Sequence, residues 1–239
     1  MAAIERAAGV VTVDCAGKTT REINQTLRAL VEQGVPEILV LNPGARHNLG
    51  VALFGRVKLT FAGSVGYYCA GMIDGPEVHV QGNCGWGVGE DMLSGLIRVE
   101  GNAGNSAGAA IRGGKLFIKG NAGARVGISM KGGLIVVRGN VGYMTGFMMQ
   151  KGAIVICGDA GEALGDSMYE GRIFIAGRIA ELGNDAVEKD LTPEDQAFLA
   201  AALSEFDVDM DPARFRKIEA GRRLWNFSKK EIGIWKEAL

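Results

Sequence analysis

Apolar residues return to the same register every nineteen positions along most of this chain. One such column reads Phe54, Ile73, Met92, Ile111, Met130, Met149 and Met168. Shortly after each member comes an alternating pair: Leu59/Phe61, Val78/Val80, Ile97/Val99, Leu116/Ile118, Ile135/Val137, Ile154/Ile156 and Ile173/Ile175. Alternation with period two predicts a short strand with one buried face. Residues between and beyond the pairs, such as Arg98, Lys119 and Arg138, are polar and predicted to face water.

Glycines keep the same time. Markers fall at Gly44, Gly63, Gly82, Gly101, Gly120, Gly139, Gly158 and Gly177. A second glycine follows three residues later, at Gly66, Gly85, Gly104, Gly123, Gly142 and Gly161. Further columns run through Gly89, Gly108, Gly127, Gly146 and Gly165, and through Gly95, Gly114, Gly133, Gly152 and Gly171. Short strands in fixed register, separated by glycine corners, predict a mainly β fold, a parallel β-solenoid in which each nineteen-residue coil stacks on the last. At a strand spacing of about 4.8 Å the stack has about seven turns and rises roughly 34 Å. No coil can bury its own apolar face alone, so the stack must be cooperative.

The position after the marker reads Ser64, Asn83, Asn102, Asn121, Asn140 and Asp159. Asparagine tolerates corner backbone, and stacked amides can hydrogen-bond along a column of coils. The Gly-Asn-x-Gly corner (Gly82, Asn83, Gly85; Gly101, Asn102, Gly104; Gly120, Asn121, Gly123; Gly139, Asn140, Gly142) is therefore expected to be a structural ladder. Hexapeptide helices are excluded because nineteen is not a multiple of six, and calcium-binding nonapeptide repeats because only Asp159 places a carboxylate in the column.

The flanks have a different texture. Residues 1–43 read as a β-α-β cap, with strands "VVTVD" and "EILVL" around a helix. Thr19 and Glu22 form a capping box there, and Ile23, Leu27 and Leu30 supply an apolar face. Such a cap over the first coil would shield its open edge. After the solenoid (44–183), residues 184–239 read as a helix begun by Thr192 and Pro193, then a tail expected to pack along the column or onto a partner. In that tail Trp225 and Trp235 are candidate interface residues.

Composition agrees with a folded solenoid. The 37 glycines in 239 residues accompany only 5 prolines and 47% hydrophobic residues, which excludes collagen and disorder. With a net charge of −1, charge balance gives no pointer to a polyanionic partner or a membrane surface. In the tail, acidic residues accompany the basic ones and argue against nucleic-acid binding. The 4 cysteines (Cys15, Cys69, Cys84, Cys157) form no C-x-x-C pair, which fits a reducing compartment and no metal site. No secretory signal pattern and no long apolar run is seen, so a soluble, cytoplasmic protein is expected.

Candidate chemistry is sparse. His79 lies on an outward strand position and reads as a surface histidine, not a ligand. The stretch "NPGARHNLG" gathers Arg46 and His47 at the first coil, where a corner could contact an anion or a partner. The G-x-G fragments belong to the nineteen-residue period and not to a strand–turn–helix nucleotide site. No catalytic, cofactor-binding or metal-binding residue is assigned.

The stretch "GNCGWGVGEDMLSGLIRVEGNAGNSAGAAIRGGKLFIKGNAGARVGISMKGGLIVVRGNVGYMTGFMMQKGAIVI" resembles the GXGXG family, with similarity over about residues 44–183. That family includes the C-terminal domain of the glutamate synthase large subunit and the β-helical subunit of formylmethanofuran dehydrogenase. The resemblance implies a right-handed parallel β-helix without catalytic residues of its own. It implies a scaffold that braces a class II glutamine amidotransferase-like subunit against an FMN and iron–sulfur glutamate synthase-like subunit. FMN and the clusters would then sit in a partner, since the flavin barrel and cluster cysteines are missing here. The cap and the tail look most like the middle subunit of split enzymes such as N-methylglutamate synthase, which makes N-methylglutamate and ammonia from methylamine and glutamate. The alternative is the corresponding β-helical subunit of a formylmethanofuran dehydrogenase or a formyltransferase/hydrolase complex.

Overall fold

The nineteen-residue register becomes a stack of parallel strands. The computed structural model describes residues 4–7 and 9–222. Its repeating strands are β4 (Lys58–Phe61), β5 (Glu77–Val80), β6 (Leu96–Val99), β7 (Lys115–Ile118), β8 (Lys131–Val137), β9 (Lys151–Ile156) and β10 (Arg172–Ile175). Along the stack Lys58 pairs with Glu77, Glu77 with Leu96, Leu96 with Lys115, Lys115 with Leu134, Leu134 with Ala153 and Ala153 with Arg172. A second ladder of single bridges runs up the stack just past the strand ends, within the Gly-Asn-x-Gly corner, through Val65, Cys84, Ala103, Ala122, Val141, Ala160 and Ile179. The chain therefore forms the β-solenoid expected from its period.

The inward positions of every coil meet in one continuous core. Ile73, Met92, Ile111, Met130, Met149 and Met168 are all fully buried, as are both members of each strand pair from Val78/Val80 to Ile173/Ile175. Each such side chain contributes about 1.5–3 kcal/mol through removal from water. A polar intruder, Thr145, is satisfied locally, its hydroxyl donating to the Gly142 carbonyl at 3.0 Å.

At the N-terminal end the sheet continues through β2 (Val10–Asp14) and β3 (Glu37–Leu41), which are parallel neighbours joined by α1 (Thr20–Glu32). The Thr19–Glu22 capping box starts α1, and Ile23, Leu27 and Leu30 enter the solenoid core. β1 (Ile4–Ala7) adds an antiparallel strand on β2. The first coil is longer than the rest. Glu37 pairs with Lys58, Phe54 with Asp74 and Lys58 with Glu77, so the spacing shrinks from twenty-one to twenty to nineteen. Consequently Leu53, not Phe54, fills the inward site under Ile73, and Phe54 is 61% exposed. The sequence register placed Phe54 in the core because the marker spacing hides this slip.

The outer face of the sheet also departs from the sequence expectation. Its central column reads Thr60, His79 and Arg98, then Phe117, Val136, Val155 and Phe174. The last four are buried in a second apolar cluster beneath α2 (Pro193–Glu205), whose Leu199, Ala202 and Leu203 pack on them with Phe206 just beyond. Phe117 stacks on Phe206 at 4.8 Å. Part of the segment read as a tail is sheet: β12 (Arg216–Ala220) lies antiparallel between β10 and β11 (Ala186–Lys189). Among the described residues one twelve-stranded sheet thus runs the length of the stack. α2 is pinned to its far end by Asp195, which binds Lys217 of β12 at 2.7 Å and Arg172 of β10 at 3.0 Å.

Candidate interaction surface

The Gly-Asn corner forms a ladder whose rungs differ from stacked side-chain amides. Asn83 Oδ1 accepts from the backbone N–H of Asn102, Asn102 from Asn121, Asn121 from Asn140 and Asn140 from Asp159, each at 2.8 Å. Ser64 Oγ begins the series by accepting from Asn83 N–H at 3.0 Å. Asp159 ends it, accepting from Arg178 N–H at 2.8 Å while its other oxygen meets the Arg178 guanidinium at 2.9 Å. Those bonds hold the Asp159 carboxyl below the usual aspartate value.

Close stacking sets the glycines beside these rungs. A Cβ on Gly101 would lie 2.4 Å from Asn83 Oδ1, and one on Gly142 would lie 2.8 Å from Ala124 N. Neither position has positive φ, so it is the neighbouring coil that forbids a side chain there. Left-handed backbone occurs elsewhere on each coil, at Gly108 (φ +65) for example, and also at side-chain-bearing residues such as Tyr68 and Met72. Those two project from the corner into solvent, 45% and 50% exposed.

Arg46 and His47 sit together at the base of the same edge. The Arg46 guanidinium donates to the carbonyls of Asn42 (2.9 Å), Pro43 (3.0 Å) and Cys15 (3.1 Å), tying the cap to the first coil. His47 Nδ1 accepts from Tyr67 N–H at 2.9 Å, and its ring stacks on Tyr67 at 4.4 Å. Tyr67 stacks in turn on Trp86 at 5.3 Å. Sequence reasoning missed Tyr67 and Trp86, although both stand four residues after a marker glycine and so had to be vertical neighbours. The next member of that column, Asn105, replaces stacking with a hydrogen bond from Ala124 N–H at 2.9 Å. Trp225 and Trp235 lie outside the described residues.

Other candidate groups are engaged elsewhere. His79 Nε2 is 3.1 Å from Glu100, whose second oxygen meets Lys119 at 2.8 Å on the open outer face. All four cysteines are buried. Burial pushes Cys84 up to about 12 and Cys157 up to about 11, which keeps both as unreactive thiols near neutral pH. Among the described residues no three His, Cys, Asp or Glu side chains come together as a metal site, and no helix is long and apolar enough to cross a membrane.

The corner geometry gives the repeat its motif, and the family model described as "GXGXG motif" matches residues 46–206. The chain belongs to the GXGXG family. It is 51% identical over 219 residues to Protein GlxC of Rhizobium meliloti (strain 1021), an alignment covering 90% of this chain and 96% of that protein. Among solved structures it resembles a chain of the formyltransferase/hydrolase complex (FhcABCD) from Methylorubrum extorquens in complex with methylofuran. That likeness has a TM-score of 0.55 at 24% identity and covers 82% of this chain and 84% of the other, a similarity of fold. On this GXGXG column the asparagines and marker glycines hold coil to coil, and one edge of the first coils carries the exposed side chains of His47, Tyr67, Tyr68, Met72 and Trp86, apart from other exposed apolar groups such as Phe54 and Leu93.

Proposed function

We propose that the chain is a non-catalytic assembly subunit of a glutamate synthase-type enzyme, and within that group of N-methylglutamate synthase. It braces a glutamine amidotransferase-like subunit against a subunit carrying FMN and iron–sulfur clusters. The observation that carries this reading is the use of the repeated asparagine: each Oδ1 is occupied by the backbone of the next coil. The motif thereby supports a rigid column. The aromatic edge beside it offers the large amphipathic surface that protein interfaces favour. Alignment with Protein GlxC over 96% of that protein supports reading this chain as the same kind of module.

Purification of the tagged chain from its native host tests the proposal. The expected result is co-recovery of two partner polypeptides, one yellow-brown from flavin and iron–sulfur centres, with methylamine-dependent formation of N-methylglutamate. A colourless complex with formyltransferase or hydrolase activity would transfer the scaffold role to the second reading, which rests on the shared fold with the FhcABCD chain. Recovery of the chain alone, as a single monodisperse species, would overturn both.

A further inference from the structure

Near the aromatic stack, the first coils form an open surface cavity of about 390 Å³ whose lining includes Asn48, Tyr68, Met72, Glu90 and Asp91. Its construction depends on Gly87, which stands one coil above Tyr68 and leaves room for that ring. A Cβ there would lie 2.6 Å from the Tyr68 ring and 3.0 Å from Glu90 Oε2. The phenol ring and the carboxylate are therefore held side by side over one glycine. Asp91, at φ +54, stands next to Glu90 on the same wall. Among the described residues neither carboxylate has a hydrogen bond or an ion pair from any side chain. Burial, and then the neighbouring Asp91 charge, push the Glu90 carboxyl above its ordinary value, the sign of an acid without a counter-charge.

We infer that this cavity is a socket for a basic side chain, an arginine by preference, presented by a partner protein in the assembled complex. The inference rests on the assembly role proposed above and names where that assembly engages this chain. An aromatic face beside two unpaired carboxylates is complementary to a guanidinium, which stacks on the ring and forks to the acids at once. A lysine would gain the charge but lose the stacking and the fork. The surroundings fit a protein partner: Tyr67 and Trp86, 40% and 51% exposed, are chain neighbours of the socket residues Tyr68 and Gly87. Tyr, Trp and Met around a desolvated charge pair are the composition of an interface hot spot.

The test uses the complex purified from the native host through a tag on this chain. Three variants are compared: Glu90→Lys with Asp91→Lys, Glu90→Gln with Asp91→Asn, and Tyr68→Gly, whose φ of +59 suits glycine. The charge-reversed variant is expected to retain partner at about one-tenth of the wild-type stoichiometry or less, and the neutral and Tyr68→Gly variants at intermediate levels. Unchanged melting temperatures of the isolated variants would show that the solenoid is intact. If the folded charge-reversed variant recovers partners at wild-type stoichiometry, the socket is overturned while the assembly role stands. If the isolated wild-type chain is a dimer that charge reversal dissolves, the occupant is a second copy and the inference fails. Recovery of the wild-type chain without partners overturns both the assembly role and the socket.

Discussion

Asn121 and Gly142 stand in the same corner yet should respond very differently to substitution. Asn121→Ala removes one acceptor, and the Asn140 N–H it leaves lies on an exposed corner where water can replace it. We expect a loss of about 1–2 kcal/mol in chemical denaturation, with any assembled activity still measurable. Gly142→Val instead forces a branched side chain against Ala124 N and the Gly123 carbonyl, 2.8–3.0 Å away. Both neighbours are backbone, so no side chain can swing aside and the coils must separate. A loss of about 3 kcal/mol or more is expected, and an unchanged denaturation midpoint for Gly142→Val would refute close stacking as the reason for the motif. The distinction was only half legible in the sequence. The period marked both residues as structural, but positive φ and steric exclusion leave the same glycine, and only the coil spacing tells them apart.

At the scale of elements, the clearest device is the clamp between α2 and β12. Burial alone would raise the Asp195 carboxyl, yet hydrogen bonds from Lys217, then Thr192, hold it at about 2. Burial alone would lower Lys217, and its contacts with Asp195 and Glu219 outweigh that and raise it. Because the folded value of Asp195 lies below its ordinary 3.8, the stabilisation is complete above about pH 4 and is lost as pH falls toward 2. Over that window the wild type should lose about 2 kcal/mol from this group. Asp195→Asn should lose about 3 kcal/mol at neutral pH, since it leaves the Lys217 ammonium 9% exposed with only Glu219 at 3.5 Å. Urea denaturation at several pH values reads both effects, and an Asp195→Asn variant with the wild-type acid slope would contradict them. Thr192 and Pro193 made the start of α2 readable, but its docking site was overlooked although the outer column changes from Thr60, His79 and Arg98 to Phe117, Val136, Val155 and Phe174. β12 carried no such signal. It returns antiparallel, outside the period, and its pairing depends on residues some forty positions away.

For the whole molecule, stacking coils solves burial everywhere except at the two ends. A parallel stack terminates in an open apolar floor and an unpaired strand edge, and both invite further chains. This protein closes the far end with an antiparallel strand, bordered by the exposed Glu188 and Lys189 of β11. It closes the near end with α1, whose Ile23, Leu27 and Leu30 fill the first coil, and with β1 laid antiparallel on β2. The interior coils were legible because each repeats its neighbour. The longer first coil was not, since its spacing answers to the helix beneath it rather than to another coil. The near cap can therefore be opened without touching the repeat. Leu27 is fully buried in the solenoid core, so Leu27→Asp must either carry a charge into that core or lift α1 off the first coil. Lifting α1 leaves β4 to β10 paired among themselves and exposes an apolar floor. We expect Leu27→Asp to form soluble or precipitating oligomers at concentrations where the wild type does not, by light scattering and sedimentation velocity, while its far-ultraviolet circular dichroism keeps the β signal. Hydrogen exchange should show protection lost first in Val10–Asp14 and Glu37–Leu41 and retained in β6 to β8. Uniform loss of protection along the column would mean that the cap and coils fold as one indivisible unit, and would overturn the nearest-neighbour account of the stack.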